Sequence, residues 1–414
     1  MVERGTSAAG PIDGSDRSAV LDSLRGWALL GILIANMVAF IGFSFLDEAG
    51  RAATIGSDFD DIGELLLEWL IVGKFYSIFS LLFGVGFAIQ LGRLEARGEG
   101  VSRYLRRLAV LFLIGMAHLM LLWIGDIVAL YALIGAVLLL FRRQSDRALI
   151  RWAVVLWMVP AGWSALIHFG GVNLAQPIFD AGLATLNSMG VDVSVGPLKD
   201  YRDTGFLAAL AFRPGEALIR LSDLVYQMRF TKVLGMFLVG LWVGRRAIYA
   251  DLDRYAPLLR KVARWGLAIG LPVSLARAVL AMWPGESQPI IEFAAEAAYV
   301  VGTPTLALGY AAAFALLWRK GVNSLGWAAP AGRMALTNYL MQTILQSLFF
   351  YGWGLGLIGT FGLSFIYPLS LALFALQVAY SRWWLAQFRF GPVEWMWRSL
   401  TYGRAQPMRL LPQV

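Results

Sequence analysis

The stretch LDSLRGWALLGILIANM, residues 21–37, decides the fold class of this chain. Every residue between Arg25 and Asn36 is uncharged, and most are large and apolar. A transmembrane helix needs about 20 mostly apolar residues, and stretches of this kind recur along the 414-residue chain, which is 58% hydrophobic and 15% charged. A soluble domain carries roughly 25% charged residues. The sequence therefore predicts an all-α protein that crosses a membrane many times.

The basic residues predict how the spans are oriented. Lys and Arg concentrate in connections such as 92–107, 142–151 and 245–264, whereas 44–63 is acidic. Because basic loops stay in the cytoplasm, about ten spans with both termini cytoplasmic satisfy the pattern. This topology also explains the net charge of +8 without nucleic acid binding. The candidate spans are roughly 20–43, 64–92, 106–124, 126–141, 152–169, 229–244, 264–283, 291–318, 326–351 and 356–381.

The spans divide the chain into regions. We expect a disordered cytoplasmic N-terminus, two bundles of about five helices each, an extracytoplasmic loop between them and a basic cytoplasmic tail. The loop is long and contains an amphipathic piece at 214–223, which predicts interfacial helices that cap an outward-facing site. In chain order, the regions are the N-terminus (1–17), the first bundle (18–169), the extracytoplasmic loop (170–228), the second bundle (229–381) and the tail (382–414).

Two of the predicted spans have an Arg at the cytoplasmic end and a polar residue further out. Arg25 and Asn36 lie eleven residues apart in the first span, and Arg107 and His118 repeat this spacing in the third. Eleven residues are about three helical turns, so each pair shares one face. An Arg at such a position also snorkels to lipid head groups, which is the structural alternative.

The ninth span continues this layout. Arg333 stands at its cytoplasmic end, and Asn338, Gln342 and Gln346 recur at every fourth residue, so they form one polar stripe. Such a stripe either joins neighbouring helices or borders a polar path. We expect the three Arg-headed helices to border one path from a cytoplasmic anion site to an outer site.

His118 and Asp126 are eight residues apart across a short turn that contains Gly125. A carboxylate that orients an imidazole is the arrangement of a general base. The alternatives are a buried histidine held by one hydrogen bond and a carboxylate that only caps the next helix. In the second span, Lys74 either snorkels to the surface or faces a cavity. With two His and no Cys, we expect no metal centre.

Five stretches together resemble a known family, and they lie at 21–37, 73–86, 115–135, 332–342 and 390–403. That family is the YeiB family of bacterial inner-membrane proteins, and the last two stretches resemble its C-terminal domain of unknown function. The LDxxRG opening at 21–26 is also similar to that of transmembrane acyltransferases, a group that includes the heparan-glucosaminide acetyltransferases. The resemblance implies a multi-pass protein of a bacterial inner (plasma) membrane.

The wider resemblance implies acyl transfer across the membrane. In that group an acyl-CoA binds from the cytoplasm, and a histidine on the far side helps pass the acyl group to a sugar. The corresponding loop here, 40–56, has no histidine. His118, oriented by Asp126, would take that role and deprotonate a hydroxyl of a small-molecule or glycolipid acceptor. The residues that would bind the donor or line its path are Arg25, Asn36, Lys74, Arg107, Arg333, Asn338 and Gln342.

Two other functions fit the same residues. A transporter or flippase would conduct a lipid-linked or small anionic solute along the polar path. A non-catalytic scaffold would have His118, Asn338 and Gln342 satisfied by protein partners. In each case we expect membrane lipid as a partner, no covalently bound cofactor, and a glycine-rich face at 352–356 that would permit a homodimer.

Overall fold

A computed structural model describes residues 19–96, 98, 100–191, 201–283 and 288–410, so the predicted disordered segment 1–17 lies outside the described residues. The chain is built of α-helices, joined by short turns and 3₁₀ segments. The helices used below are α1 (Ala19–Ile41), α2 (Glu48–Ala52), α3 (Asp60–Leu66), α4 (Lys74–Ala96), α5 (Ser102–Leu121), α6 (Val128–Leu138), α7 (Asp146–Gly170), α8 (Gln176–Ser188), α9 (Phe206–Tyr226), α10 (Arg229–Arg245), α11 (Ala256–Ala281), α12 (Pro289–Arg319), α13 (Ala329–Arg333), α14 (Ala335–Phe350), α15 (Ile366–Leu385) and α16 (Pro392–Tyr402).

The predicted fold class, an all-α polytopic membrane protein, is confirmed. Within the described residues seven helical stretches are long and apolar enough to span a membrane, and the bent pair α9–α10 makes up to eight. The prediction of about ten spans differs from this count, because two predicted spans form shorter helices. One is the apolar helix Val128–Phe141. The other contains α14, whose 16 residues extend about 24 Å against a hydrocarbon core of about 30 Å.

Helices from the two predicted bundles pack against each other. In the first half, α4 and α7 pack on α10 of the second half, and α1 packs on α13, α14 and α15. Glycine permits the closest of these approaches, as small residues do between membrane helices. Gly84 of α4 and Gly240 of α10 face each other, with each Cα about 3 Å from the position of a Cβ on the other. The buried face of α1 lies in the largest apolar core.

Two of the spans are discontinuous. In the stretch Ser57–Ala96, α3 passes into a π-helical turn, Leu67–Ile71, and the chain then breaks at Gly73 before α4 begins. Gly73 has φ +85°, a conformation that glycine adopts without steric cost. The second break lies between α9 and α10, which meet at 62° around Met228, a non-glycine residue with φ +46°. Irregular backbone at membrane depth is tolerated only where protein or a polar cavity surrounds it.

The connection 170–228 is helical in its described part, which excludes residues 192–200. Helices α8 and α9 pack on each other. The predicted amphipathic piece lies in α9, whose polar residues Arg213, Glu216 and Ser222 are buried. The polar face of α9 therefore packs against the rest of the protein.

We predict that Gly84→Ala destabilises the protein and that Gly86→Ala, two residues along the same helix, does not. A Cβ at Gly84 would lie 2.2 Å from the carbonyl oxygen of Phe237, whereas one at Gly86 meets nothing within 4 Å. Overpacking of this kind lowers the free energy of unfolding by about 1–3 kcal/mol. Replacing a helical glycine by alanine without a steric clash raises it by up to about 1 kcal/mol. Thermal unfolding in detergent measures both, and equal unfolding temperatures would contradict the packing of α4 on α10.

Candidate functional site

His118 and Asp126 form a buried hydrogen-bonded pair at the junction of α5 and α6. Nδ1 of His118 lies 2.8 Å from Oδ1 of Asp126. The other carboxylate oxygen, Oδ2, accepts a hydrogen bond of 2.7 Å from the backbone N–H of Ala129, in the first turn of α6. The two alternatives for Asp126, an orienting partner and a helix cap, are thus both present in one carboxylate.

The second imidazole nitrogen faces a hydroxyl. Nε2 of His118 lies 2.9 Å from Oγ1 of Thr343 on α14. When Asp126 is a carboxylate and the imidazole is neutral, Nδ1 carries the ring proton and Nε2 accepts from the Thr343 hydroxyl. Carboxylate, imidazole and hydroxyl in this order are the arrangement that activates an oxygen nucleophile. All three side chains are buried, with exposures of 3% for His118, 2% for Asp126 and 2% for Thr343.

Sequence reasoning missed Thr343. It follows Gln342 directly and lies beside the polar stripe of α14, but its hydroxyl belongs to a residue type that is frequent between membrane helices. The ring of Tyr339, one turn earlier on α14, lies 5.2 Å from the imidazole ring centre. Only the crossing of α14 with α5 shows which of these residues meets His118.

Helix α9 covers this site. Arg213 donates a hydrogen bond of 2.9 Å to the backbone oxygen of Leu122, and Arg220 one of 3.4 Å to that of Asp126. Each guanidinium is held by a carboxylate three residues further along α9, Glu216 at 2.5 Å and Asp223 at 2.6 Å. The polar face of α9 is therefore occupied by the turn between His118 and Asp126, at the place where a cap was predicted.

The start of α9 is fixed by a further contact. The hydroxyl of Tyr201, which precedes α9, donates a hydrogen bond to Glu216. Burial first, and then the Glu216 carboxylate, raise the pKa of Tyr201 well above its ordinary value. The phenol therefore stays protonated and remains a donor. Its ring stacks on Tyr351, with the two centres 4.9 Å apart, so α9 is joined to the end of α14.

The polar stripe of α14 joins this helix to α15. The amide nitrogen of Asn338 donates to Ser381 at 2.9 Å, and that of Gln342 donates to Gln377 at 2.9 Å. Gln377 returns a bond of 3.0 Å to the backbone oxygen of Asn338. The side-chain oxygens of Asn338 and Gln342 are buried and have no hydrogen-bond partner among the described residues. The amide nitrogens of Asn338 and Gln342 thus have protein partners, as a non-catalytic scaffold requires. Their side-chain oxygens have none among the described residues.

The three Arg of the predicted anion site lie at the other end of their helices. Arg25 pairs with Asp22 at 2.6 Å, and the Arg107 guanidinium lies 3.7 Å above the Trp397 ring of α16. Arg333 ends α13. His118 stands about 16 Å from Arg107 along α5 by helix rise. The structure therefore separates Arg107 from His118 along α5.

Two cavities in the described part of the structure lie away from the predicted binding residues. One of about 530 Å³ is lined by residues of the loop 43–64, and one of about 330 Å³ by residues at the start of α7 and the end of α10. Neither is lined by His118 or by any of the predicted binding residues. The continuous path from the cytoplasmic Arg to His118 stays a prediction. Asn36, predicted to line it, is half-buried on α1.

Lys74 belongs to a different polar centre. It is fully buried, with 0% exposure, so it does not snorkel to the surface. Its ammonium donates a hydrogen bond of 2.8 Å to the backbone oxygen of Glu68 in the π-helical turn. The Glu68 carboxylate forms an ion pair with Arg277 of α11. The structure thus places Lys74 at the break in the second span, among residues of α11 and α12.

Comparisons with known proteins give the family. Residues 243–404 match a family model described as a protein of unknown function, DUF418. The chain is 31% identical over 409 residues to an uncharacterized protein of Bacillus subtilis (strain 168), YxaH, covering 95% of this chain and 96% of that protein. It is 31% identical over 413 residues to the uncharacterized protein YeiB of Escherichia coli (strain K12), covering 95% and 98%. With this similarity over nearly the whole length, the chain belongs to the YeiB family of membrane proteins.

Proposed function

We propose that this chain is an integral-membrane acyltransferase in which His118 is the general base. The observation that carries the proposal is the buried series Asp126, His118 and Thr343, in which the imidazole nitrogen opposite the carboxylate meets a hydroxyl. A carboxylate on one side of an imidazole and a hydroxyl on the other is the geometry of proton abstraction from an oxygen. The LDxxRG resemblance supports acyl transfer as the chemistry.

The reaction would use the site as follows. The acceptor hydroxyl displaces Thr343 at Nε2, which takes the hydroxyl proton as the oxygen attacks the thioester carbon. The Asp126 carboxylate stabilises the resulting imidazolium. The C–S bond then breaks, and the departing thiolate receives the proton from Nε2, so that an ester and a thiol are formed. Because α9 covers the turn, it would exclude water during transfer and would have to move to admit the acceptor.

The donor would bind from the opposite side. Acyl-CoA carries phosphate groups, for which guanidinium groups are suited ligands, and Arg25, Arg107 and Arg333 lie at the predicted cytoplasmic end. Helix α16 lies over this end, where Glu394 accepts hydrogen bonds of 2.7 and 3.1 Å from the backbone N–H groups of Leu336 and Thr337. We place the enzyme in the bacterial inner membrane, with a hydroxyl-bearing sugar or glycolipid as the outer acceptor.

A second candidate, a transporter or flippase for an anionic solute, is favoured by the two discontinuous spans. Transporters bind substrates where helices break, with the positive ends of half-helices directed at anionic groups. The two proposals differ in their product. Acyl transfer changes the acceptor covalently, whereas transport would be measured as labelled solute accumulated unchanged inside proteoliposomes.

We predict that His118→Gln lowers acyl transfer by roughly 100- to 10,000-fold, the range that general-base catalysis contributes. The assay is transfer of radiolabel from acetyl-CoA to lipid or glycan acceptors in membranes that contain the protein. His168→Gln is the matched control, because His168 lies on α7 and contacts Glu292 at 3.4 Å, away from the site. Undiminished transfer by a folded His118→Gln protein in an active preparation would refute the proposed base.

We predict that Asp126→Asn separates the two roles of this residue. Asparagine still accepts the N–H of Ala129 as a helix cap, so the unfolding temperature should stay close to that of the wild type. It cannot stabilise an imidazolium, and a neutral amide in this position costs a comparable hydrolase about 10,000-fold. We expect transfer to fall at least 100-fold. A large loss of thermal stability with little change in transfer would show that Asp126 is a cap alone.

A further inference from the structure

Both discontinuous spans resume with a cation. Lys74 is the first residue of α4 after the break at Gly73, and Arg229 is the first residue of α10 after the bend at Met228. The N-terminus of a helix carries a partial positive charge. Each half-helix therefore adds positive potential at the position where the sequence already places a charged side chain.

Neither of these cations forms an ion pair with a carboxylate among the described residues, although the Asp223 carboxylate acts on the Arg229 guanidinium at longer range. The Lys74 ammonium contacts the neutral backbone oxygen of Glu68. The Arg229 guanidinium donates to the neutral side-chain oxygen of Gln227, and its Nε is buried with no partner in the described part of the chain. A buried charge without a counter-ion is strongly destabilising. An anion from outside the chain would remove this cost.

The two breaks meet at one pair of tyrosines. The hydroxyls of Tyr76 and Tyr299 lie 3.1 Å apart, and the Arg229 guanidinium lies 4.7 Å over the Tyr76 ring. A Cβ at Gly73, next to Lys74, would lie 2.5 Å from the Tyr299 hydroxyl. The breaks in the two spans are thus neighbours in space, although they are distant in sequence.

Two further cations complete the group. Lys232 lies 4.2 Å and Arg277 5.5 Å over the Tyr299 ring. These two are compensated, since Lys232 pairs with Glu296 at 2.8 Å and Arg277 pairs with Glu68. The cationic cluster, defined as Lys74, Arg229, Lys232 and Arg277, therefore has two members without an ion pair, Lys74 and Arg229.

The cationic cluster reaches the surface on one side. The side chains of Arg277, Glu68 and Glu296 are 19%, 20% and 26% exposed, whereas that of Lys232 is 3% exposed. The ion pairs form an accessible rim, whereas Lys74 is fully buried and Arg229 is half-buried. By the predicted topology this rim is on the outer half of the membrane.

We propose that the cationic cluster is a binding site for a phosphate group. A phosphate carries one or two negative charges and several acceptor oxygens, which match the two cations without ion pairs and two adjacent tyrosine hydroxyls. The phosphate would come from an anionic lipid head group in the outer leaflet or from free inorganic phosphate. The site shares no side chain with His118, Asp126 or Thr343 and does not depend on acyl transfer.

The test is thermal unfolding of the full-length protein in detergent, titrated separately with short-chain phosphatidylglycerol and with inorganic phosphate, at constant ionic strength. Ligand that binds the folded state raises the unfolding temperature. Lys74→Met and Arg229→Met should each weaken the apparent affinity roughly tenfold to hundredfold, as expected when one charged hydrogen bond is lost. A response to phosphatidylglycerol alone identifies a head-group site, and a response to both identifies a site open to free phosphate.

The Lys74→Met variant separates binding from a structural role. Without ligand it should unfold at the same or a higher temperature than the wild type, because the uncompensated buried charge is gone. Lys261→Met is the matched control, since Lys261 is exposed on α11, and it should keep the wild-type response. The proposal is overturned if neither probe raises the unfolding temperature, or if Lys74→Met and Arg229→Met respond as Lys261→Met does.

Discussion

The Asp126 carboxylate makes the two contacts on which the arrangement of the outer half depends. One oxygen caps α6 through Ala129, and the other fixes the imidazole of His118 on α5. At membrane depth there is no water to satisfy the Ala129 N–H or the His118 imidazole. Both α6 and α5 are therefore held to the Asp126 carboxylate. Arg220 of α9 then bonds to the peptide oxygen of the same residue. Three helices are therefore oriented around one residue, two of them through its carboxylate.

The hinge between α9 and α10 connects the His118 site with the cationic cluster. Asp223 accepts hydrogen bonds from Arg220 and Gln227, and the side-chain oxygen of Gln227 accepts one from Arg229. Arg220 contacts the Asp126 turn, and Arg229 contacts the Tyr76 ring. Any movement of α9 that exposes His118 would consequently disturb Arg229 as well. An anion held at the cationic cluster and an acceptor admitted at His118 would bias the same bent pair of helices.

The sequence was sufficient for the fold class because the hydrocarbon core imposes a length of apolar helix that composition reveals directly. For Asp126 it gave two alternatives, a partner of His118 and a helix cap, and the structure contains both contacts. It did not reveal that Gly73 breaks the second span, because glycine is frequent in membrane helices. Met228 carries no signal at all for a left-handed conformation.

The polar stripe of α14 shows a different limit. Its spacing correctly gave one face for Asn338 and Gln342, but that face meets Ser381 and Gln377 of α15. Periodicity specifies which residues lie together on a helix and says nothing about which helix they will meet. For the same reason Thr343 could not be recognised as the partner of His118.

The central claim is that Nε2 of His118 is an unprotonated acceptor directed at a hydroxyl. Nitrogen-15 NMR of histidine-labelled protein tests it directly. The chain has two histidines, so in the His168→Gln variant every histidine signal comes from His118. We expect a neutral ring with the proton on Nδ1, and a change in the Nε2 signal when Thr343→Val removes the hydroxyl. A proton on Nε2, or an Nε2 signal unaffected by Thr343→Val, would contradict it.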